Sequence, residues 1–165
     1  RGGSRRDLAI VQTLLGTGLR ISELAALRIS DLDLPERGGW LHVRAGKGNK
    51  AREIPLDNKT RQAISAYLEE RQDDGSERLF LGQRGPLREP GINYLVAKFA
   101  YQARLEQCTS HTLRHTFGKG LVDGGVPLDQ VATLLGHESL DTTRIYTRPS
   151  KSDLERAVRR AAGEL

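Results

Sequence analysis

The stretch His111-Thr112-Leu113-Arg114-His115-Thr116-Phe117 is the most informative in this 165-residue sequence. Residues three apart on a helix share a face, so His111 and Arg114 can point an imidazole and a guanidinium at one target. Such a pair suits an anion. The guanidinium offers a planar fork of donors to phosphate oxygens, and imidazole is the side chain best able to move a proton near pH 7. Alone, the H-x-x-R spacing is a weak signal that also fits an ordinary surface pair. Its weight comes from what stands on either side of it. Downstream lie Leu134-Leu135-Gly136-His137 and then Tyr146 within Thr142-Thr143-Arg144-Ile145-Tyr146-Thr147-Arg148. Upstream lie Thr17-Gly18-Leu19-Arg20-Ile21-Ser22-Glu23-Leu24 and Gly46-Lys47-Gly48-Asn49-Lys50.

The periodicity around these boxes is mainly helical. Leu8, Val11, Leu14, Leu15 and Leu19 have the spacing of an amphipathic helix that ends at Gly16-Thr17-Gly18. Ser22 reads as the N-cap of a short second helix with Glu23 in its first turn. From Gly39 to Leu56 the pattern changes to alternation around Gly46-Lys47-Gly48-Asn49, which predicts a β-hairpin with that turn. A helix is expected from Asn58 towards Asp74-Gly75, a short strand over Leu79-Phe80-Leu81, and a loop from Gly82 to Gly91. Four helices follow, over about 91–106, 110–123, 128–135 and 139–147. Pro127 just inside a start and Gly136 just past an end punctuate the third of them. The tail from Lys151 to Ala162 carries Leu154, Ala157, Val158 and Ala161 at helical spacing and needs a surface to cover.

Composition narrows the class without deciding it. A hydrophobic fraction of 37% with 5% aromatics predicts a folded but rather polar domain. No apolar run approaches the roughly 20 residues that span a bilayer, and the N-terminus lacks the apolar stretch of a signal peptide. A soluble, cytosolic chain with no membrane association is therefore expected. The single Cys108 has no partner for a disulfide or a zinc site. The balance of 26 Lys and Arg against 21 Asp and Glu, +5, permits nucleic-acid binding without demanding it. Arg44, Lys47, Lys50 and Arg52 cluster about the predicted hairpin, and on charge alone both phosphate contact and solvation stay open.

Taken together and in order, TGLRISEL (17–24), GKGNKAREIPL (46–56), HTLRHTF (111–117) and LLGHESLDTTRIYTR (134–148) closely resemble the boxes of the tyrosine recombinase, or phage integrase, family. The resemblance is strongest to its Xer-like bacterial members and covers nearly the whole chain. It implies a mixed, mainly α fold: the helical catalytic domain of that family, with a small antiparallel hairpin or three-stranded sheet on one edge. It assigns catalytic positions to Arg20, Lys47, His111, Arg114, His137 and Tyr146, with no cofactor and no metal. The implied activity is site-specific recombination of double-stranded DNA through a 3′-phosphotyrosine intermediate. Relaxation of DNA in the manner of a type IB topoisomerase, or DNA binding without catalysis, are the alternatives.

The implied chemistry suits those residue types. A phenol with an ordinary pKa of about 10 needs a proton acceptor, for which His111 is the candidate. Two arginines would neutralise charge on the non-bridging oxygens, His137 would add a hydrogen bond, and Lys47 would protonate the departing 5′ oxygen. Glu23 is read either as the group that orients Arg20 or as an acid favourable to its helix dipole. His115 is expected to support the site rather than bind metal, because Thr112 stands where a zinc-binding helix would carry glutamate. His42 reads as a surface residue. Arg44, Lys50 and Arg52 gain weight as backbone contacts from flanking Lys47, and Arg144 and Arg148 bracket Tyr146 as further DNA contacts.

Gly118-Lys119-Gly120 is a departure, since related sequences more often have Ala and Thr there. A larger departure is that only six residues precede the first helix, where full-length members carry an N-terminal core-binding domain. The expectation is a catalytic unit over residues 1–149 with a tail helix over 150–165. The isolated chain should then be monomeric, and the full protein a homotetramer on DNA. A cytoplasmic, nucleoid-associated protein of bacterial type is implied.

Overall fold

The hydroxyl of Ser4 accepts from the amide of Asp7 and opens the first helix, α1 (Arg5–Thr17), in a computed structural model. The structure describes residues 4–45, 50–72, 75–137, 139–147 and 151–162. Gly18 ends α1 in the left-handed region (φ 62°), with its amide returning to Leu14 at 3.0 Å. The next helix, α2 (Ile21–Ala26), begins two residues earlier than a Ser22 cap would allow, with Arg20 as the cap residue. The carboxylate of Glu23 accepts from the Arg20 amide at 2.8 Å and does the capping instead.

The expected sheet forms on one edge. A 3-10 turn (Ile29–Asp31) leads into β1 (Leu32–Asp33), β2 (Trp40–Val43) and β3 (Arg52–Pro55), antiparallel in that order. Leu41, Val43 and Ile54 are buried on the inner face, while His42 and Glu53 pair outside at 3.1 Å. The predicted turn, residues 46–49, lies outside the described residues. Helix α3 (Asn58–Glu70), capped by Asp57, packs along α1.

Between α3 and the next helix the chain departs from the expected single strand. Leu79 and Phe80 are buried core residues, and the strands that form are the two-residue pair β4 (Leu81–Gly82) and β5 (Gly85–Pro86). Arg71 fixes this segment by donating to three of its carbonyls, those of Ser76, Arg78 and Leu79. Helix α4 spans Glu89–Gln102, shifted towards the N-terminus from the expected 91–106. Pro90 is well placed in its first turn, and the left-handed Arg104 (φ 55°) follows its end.

Helices α5 (Ser110–Asp123) and α6 (Leu128–Leu135) stand at the expected bounds, with Pro127 as the cap residue of α6 rather than its first residue. The expected helix over 139–147 is divided into α7 (Leu140–Thr143) and a 3-10 turn (Arg144–Thr147). In 3-10 geometry residues i and i+3 eclipse, so Thr143 and Tyr146 turn inward together while Arg144 and Ile145 face solvent. The tail forms α8 (Lys151–Ala161), with Leu154 53% and Val158 69% exposed, so this chain does not cover their stripe.

Most of the core is one cluster beneath α1, α3, α4 and the sheet. A second, smaller cluster holds Val131, Leu135 and Tyr146, with Phe117, Leu121, Val122 and Val126 packed against it. Among the described residues no helix is long and apolar enough to cross a membrane.

Candidate active site

Two buried arginines tie the loop after α1 to the end of α6. Arg114, 5% exposed, donates to the carbonyls of Gly18 at 2.6 Å and Leu135 at 2.8 Å. Arg52 donates through Nε to the carbonyl of Leu134 at 2.8 Å and grips Glu23 with both terminal nitrogens at 2.8 and 2.9 Å. Glu23 in turn accepts from the backbone and, at 3.4 Å, from the guanidinium of Arg20. Arg20 remains partly exposed, with 36% of its side chain accessible at the mouth of this arrangement. The close approach requires Gly18, because a Cβ there would meet the ring of Phe117 on α5.

These contacts set the charge states. Burial pushes the Glu23 carboxyl up, but the hydrogen bonds from Arg52 and Arg20 and both positive charges outweigh it, so its pKa lies below the usual carboxylate range. Burial, with Arg20 adding repulsion, lowers the Arg114 guanidinium to about 10, and it stays charged at neutral pH. Burial, then Arg114, Arg20 and Arg52, hold the His137 imidazole at about 4, so it is neutral there. Its Nδ1 lies 2.8 Å from the hydroxyl of Thr143. Burial raises the Tyr146 phenol above its ordinary value, against an opposing pull from Arg114 and Arg20.

Tyr146 is 3% exposed and lies between two imidazoles. The His137 ring is nearly parallel to it, 5° at 6.2 Å between centroids, and the His115 ring is tilted at 5.0 Å. His111 is exposed on the first turn of α5, and among the described residues its ring makes no hydrogen bond and no stacking contact with Tyr146. The structure thus brings Arg20, Arg114, His137 and Tyr146 together and sets His115 beside them. The expected Lys47 lies outside the described residues, as does Arg148.

The expected DNA-contact residues divide. Lys50 is exposed. Arg44 is exposed and pairs at 2.6 Å with Asp31, and Arg144 pairs with Asp141 at 3.0 Å. Arg52 is a correction: with 4% of its side chain accessible and all three nitrogens engaged internally, it is not on a surface that DNA could touch. The alternation of β3 carries the signal, since Arg52 stands two residues before buried Ile54 and shares its inward face. Glu23 contacts both the amide and the guanidinium of Arg20 and stands in the first turn of α2, a position that fits both readings. Gly118, a departure from the family pattern, lies directly under the Tyr146 ring. No cluster of three His, Cys, Asp or Glu side chains that could hold a metal occurs among the described residues.

Comparison with known proteins bears on the same boxes. Residues 2–153 match the model of the phage integrase family. The tyrosine recombinase XerA of Thermococcus kodakarensis is 39% identical over 161 residues, covering 95% of this chain and 56% of that protein. The tyrosine recombinase XerC of Corynebacterium efficiens is 40% identical over 161 residues, covering 95% and 51%. Among solved structures, that of a XerA recombinase superposes with a TM-score of 0.85 at 33% identity, over 96% of this chain and 58% of the other. A XerH site-specific recombinase bound to difH substrate, a pre-cleavage complex, superposes with a TM-score of 0.79 at 29% identity, over 96% and 48%. The chain therefore spans about half the length of the relatives it matches.

Proposed function

The chain belongs to the phage integrase family, and from that membership we propose that it is the strand-cleaving and rejoining unit of a site-specific DNA recombinase, with Tyr146 as nucleophile. The observation that carries the proposal is the grouping of two oriented arginines, a neutral imidazole and a nearly enclosed phenol around one mouth. A partly exposed Arg20 and a buried Arg114 suit a phosphodiester better than a small free anion, because one face stays open to a duplex.

In the proposed step the Tyr146 oxygen attacks phosphorus and the bond to the 5′ oxygen breaks. The phenolic proton goes to an imidazole, the 5′ oxygen takes up a proton to leave as a hydroxyl, and a 3′-phosphotyrosine remains. Arg20 and Arg114 neutralise the charge that grows on the non-bridging oxygens. A neutral His137 contributes a hydrogen bond through Nε2 when its Nδ1 accepts from Thr143. Lys47 is assigned as the donor to the 5′ oxygen. The phosphotyrosine keeps the energy of the broken phosphodiester, so a second 5′-hydroxyl can reverse the step or join a new partner without ATP.

His111 is our assignment for the proton acceptor. The ring of His115, nearer to Tyr146, favours a second reading in which that residue takes the proton. Lys50, Arg44, Arg144 and Arg148 are assigned to the phosphate backbone. We assign residues 1–149 to catalysis and 150–165 to a tail whose exposed Leu154 and Val158 cover a neighbouring protomer in a tetramer on DNA. Alone, the chain is monomeric in this proposal, and its site of action is the bacterial nucleoid.

The test uses nicked duplexes with randomised arms, which allow cleavage but let the short fragment bearing the new 5′-hydroxyl escape and so trap the covalent complex. An SDS-resistant adduct from the parent chain, absent in Tyr146→Phe, supports the enzyme. DNA binding without any adduct would reduce the protein to a binding module.

A further inference from the structure

Gly118 lies one helical turn beyond Arg114 on α5, and so on the same face. A Cβ built on it would stand 2.8 Å from Cζ of Tyr146 and 2.9 and 3.1 Å from the two Cε atoms. Real Cβ contacts essentially never fall below 3.0 Å, so the ring would have to move. Cζ carries the hydroxyl, so the displacement falls on the reacting end of the side chain. The rest of the ring is bounded by His115, His137, Val131 and Leu135. Gly120, two residues on in the same helix, supplies the contrast: a Cβ there meets nothing within 4 Å. Both glycines lower the helix propensity of α5, but only one of them is answered by a neighbour.

We propose that Gly118 is a positioning residue for the nucleophile, its bare backbone forming the seat on which the Tyr146 ring rests with its hydroxyl towards the phosphate held by Arg114 and Arg20. The proposal rests on the reading of Tyr146 given above. Because the seat and Arg114 belong to one rigid helix, phenol and guanidinium keep their spacing when the loops around them shift. A methyl group on the seat lifts Cζ by a sizeable fraction of an ångström. Misplacing a reacting group by about 1 Å costs on the order of a hundredfold in rate.

The test combines Gly118→Ala and Gly120→Ala, each in the parent chain and in Tyr146→Ala. Gly120→Ala is expected to raise Tm by about 2–4 °C in both backgrounds, the gain of helix propensity alone. Gly118→Ala should raise it by a similar amount only where Tyr146 is absent, and should leave it unchanged or lower it where Tyr146 is present. On the randomised nicked duplexes, Gly118→Ala should slow adduct formation roughly ten- to hundredfold at unchanged duplex affinity, and Gly120→Ala should not. An equal rise in Tm from Gly118→Ala in both backgrounds, or an unaltered adduct rate, overturns the proposal. If the parent chain forms no adduct, the recombinase reading fails and the proposal falls with it, while the four Tm values still report separately whether the ring sits on Gly118.

Discussion

Arg52 and Glu23 form a two-pronged ion pair at 2.8 and 2.9 Å, with 4% and 7% of their side chains accessible. Since Glu23 also holds the backbone of Arg20 and Arg52 holds the carbonyl of Leu134, this one pair fixes the relation of α2, β3 and the loop that carries His137. Arg52→Met takes the two-pronged partner from the buried Glu23 carboxylate and leaves it the Arg20 contacts, and is expected to cost about 3 kcal/mol in urea unfolding. The double change Arg52→Met with Glu23→Gln should recover much of that stability yet leave cleavage slow, because Arg20 loses its orienting partner. Full cleavage in the double variant would show that the pair only holds the fold.

Exposed Lys50 provides the complementary experiment. Lys50→Ala should lower the slope of log affinity against log salt by about 1, the signature of one lost phosphate contact. Arg44→Ala is expected to change it less, because Arg44 already pairs with Asp31. A full unit lost from Arg44 and none from Lys50 would reverse the assignment.

A one-dimensional pattern carries local structure but not contacts between distant parts of the chain. Helices α5 and α6 stand where their periodicity and stop signals put them, and Arg20, Arg114, His137 and Tyr146 lie near one another in the fold. The alternation of β3 specifies the inward side of Arg52, whereas the charge run around the hairpin points to a DNA contact. Gly118 carries no periodic signal at all. Its reason is a contact with a residue 28 positions further along the chain (146 − 118), which only the folded arrangement brings near. The split of the expected helix over 139–147 likewise comes from tertiary packing of Thr143 and Tyr146 against α5 and α6.

Thr143→Val probes the His137 tautomer. The hydroxyl at 2.8 Å from Nδ1 can donate to it and leave the proton on Nε2, whereas a valine methyl cannot. Adduct formation is expected to fall by about tenfold, as for loss of a partner that orients an imidazole. Folding should be little changed, because valine has nearly the same shape. An undiminished rate in Thr143→Val would remove Thr143 from the account.

The acid limb of stability should have two parts. The His137 pKa is lowered to about 4, so the unfolded chain takes up the extra proton first, and stability falls as pH drops from about 6.5 towards 4. Glu23 is also lowered, so its share is complete above the usual carboxylate range and is lost only at lower pH. Urea midpoints measured against pH should therefore begin to fall near 6.5 in the parent chain, and His137→Gln should delay the fall until the carboxylates titrate. An unchanged profile in His137→Gln would contradict the half-buried, neutral imidazole. Solvent reaches part of this ring, so the window rather than the size of the effect is the diagnostic.

The point at which DNA becomes attached tests the proposed chemistry most directly. Trapped adducts from nicked duplexes can be digested with protease and the DNA-linked peptide identified by mass. The predicted result is a single nucleotide-bearing peptide modified at Tyr146 through a 3′-phosphate, with a free 5′-hydroxyl on the released strand and no adduct from Tyr146→Phe. Attachment at any other residue, through a 5′-phosphate, or persisting in Tyr146→Phe would contradict it.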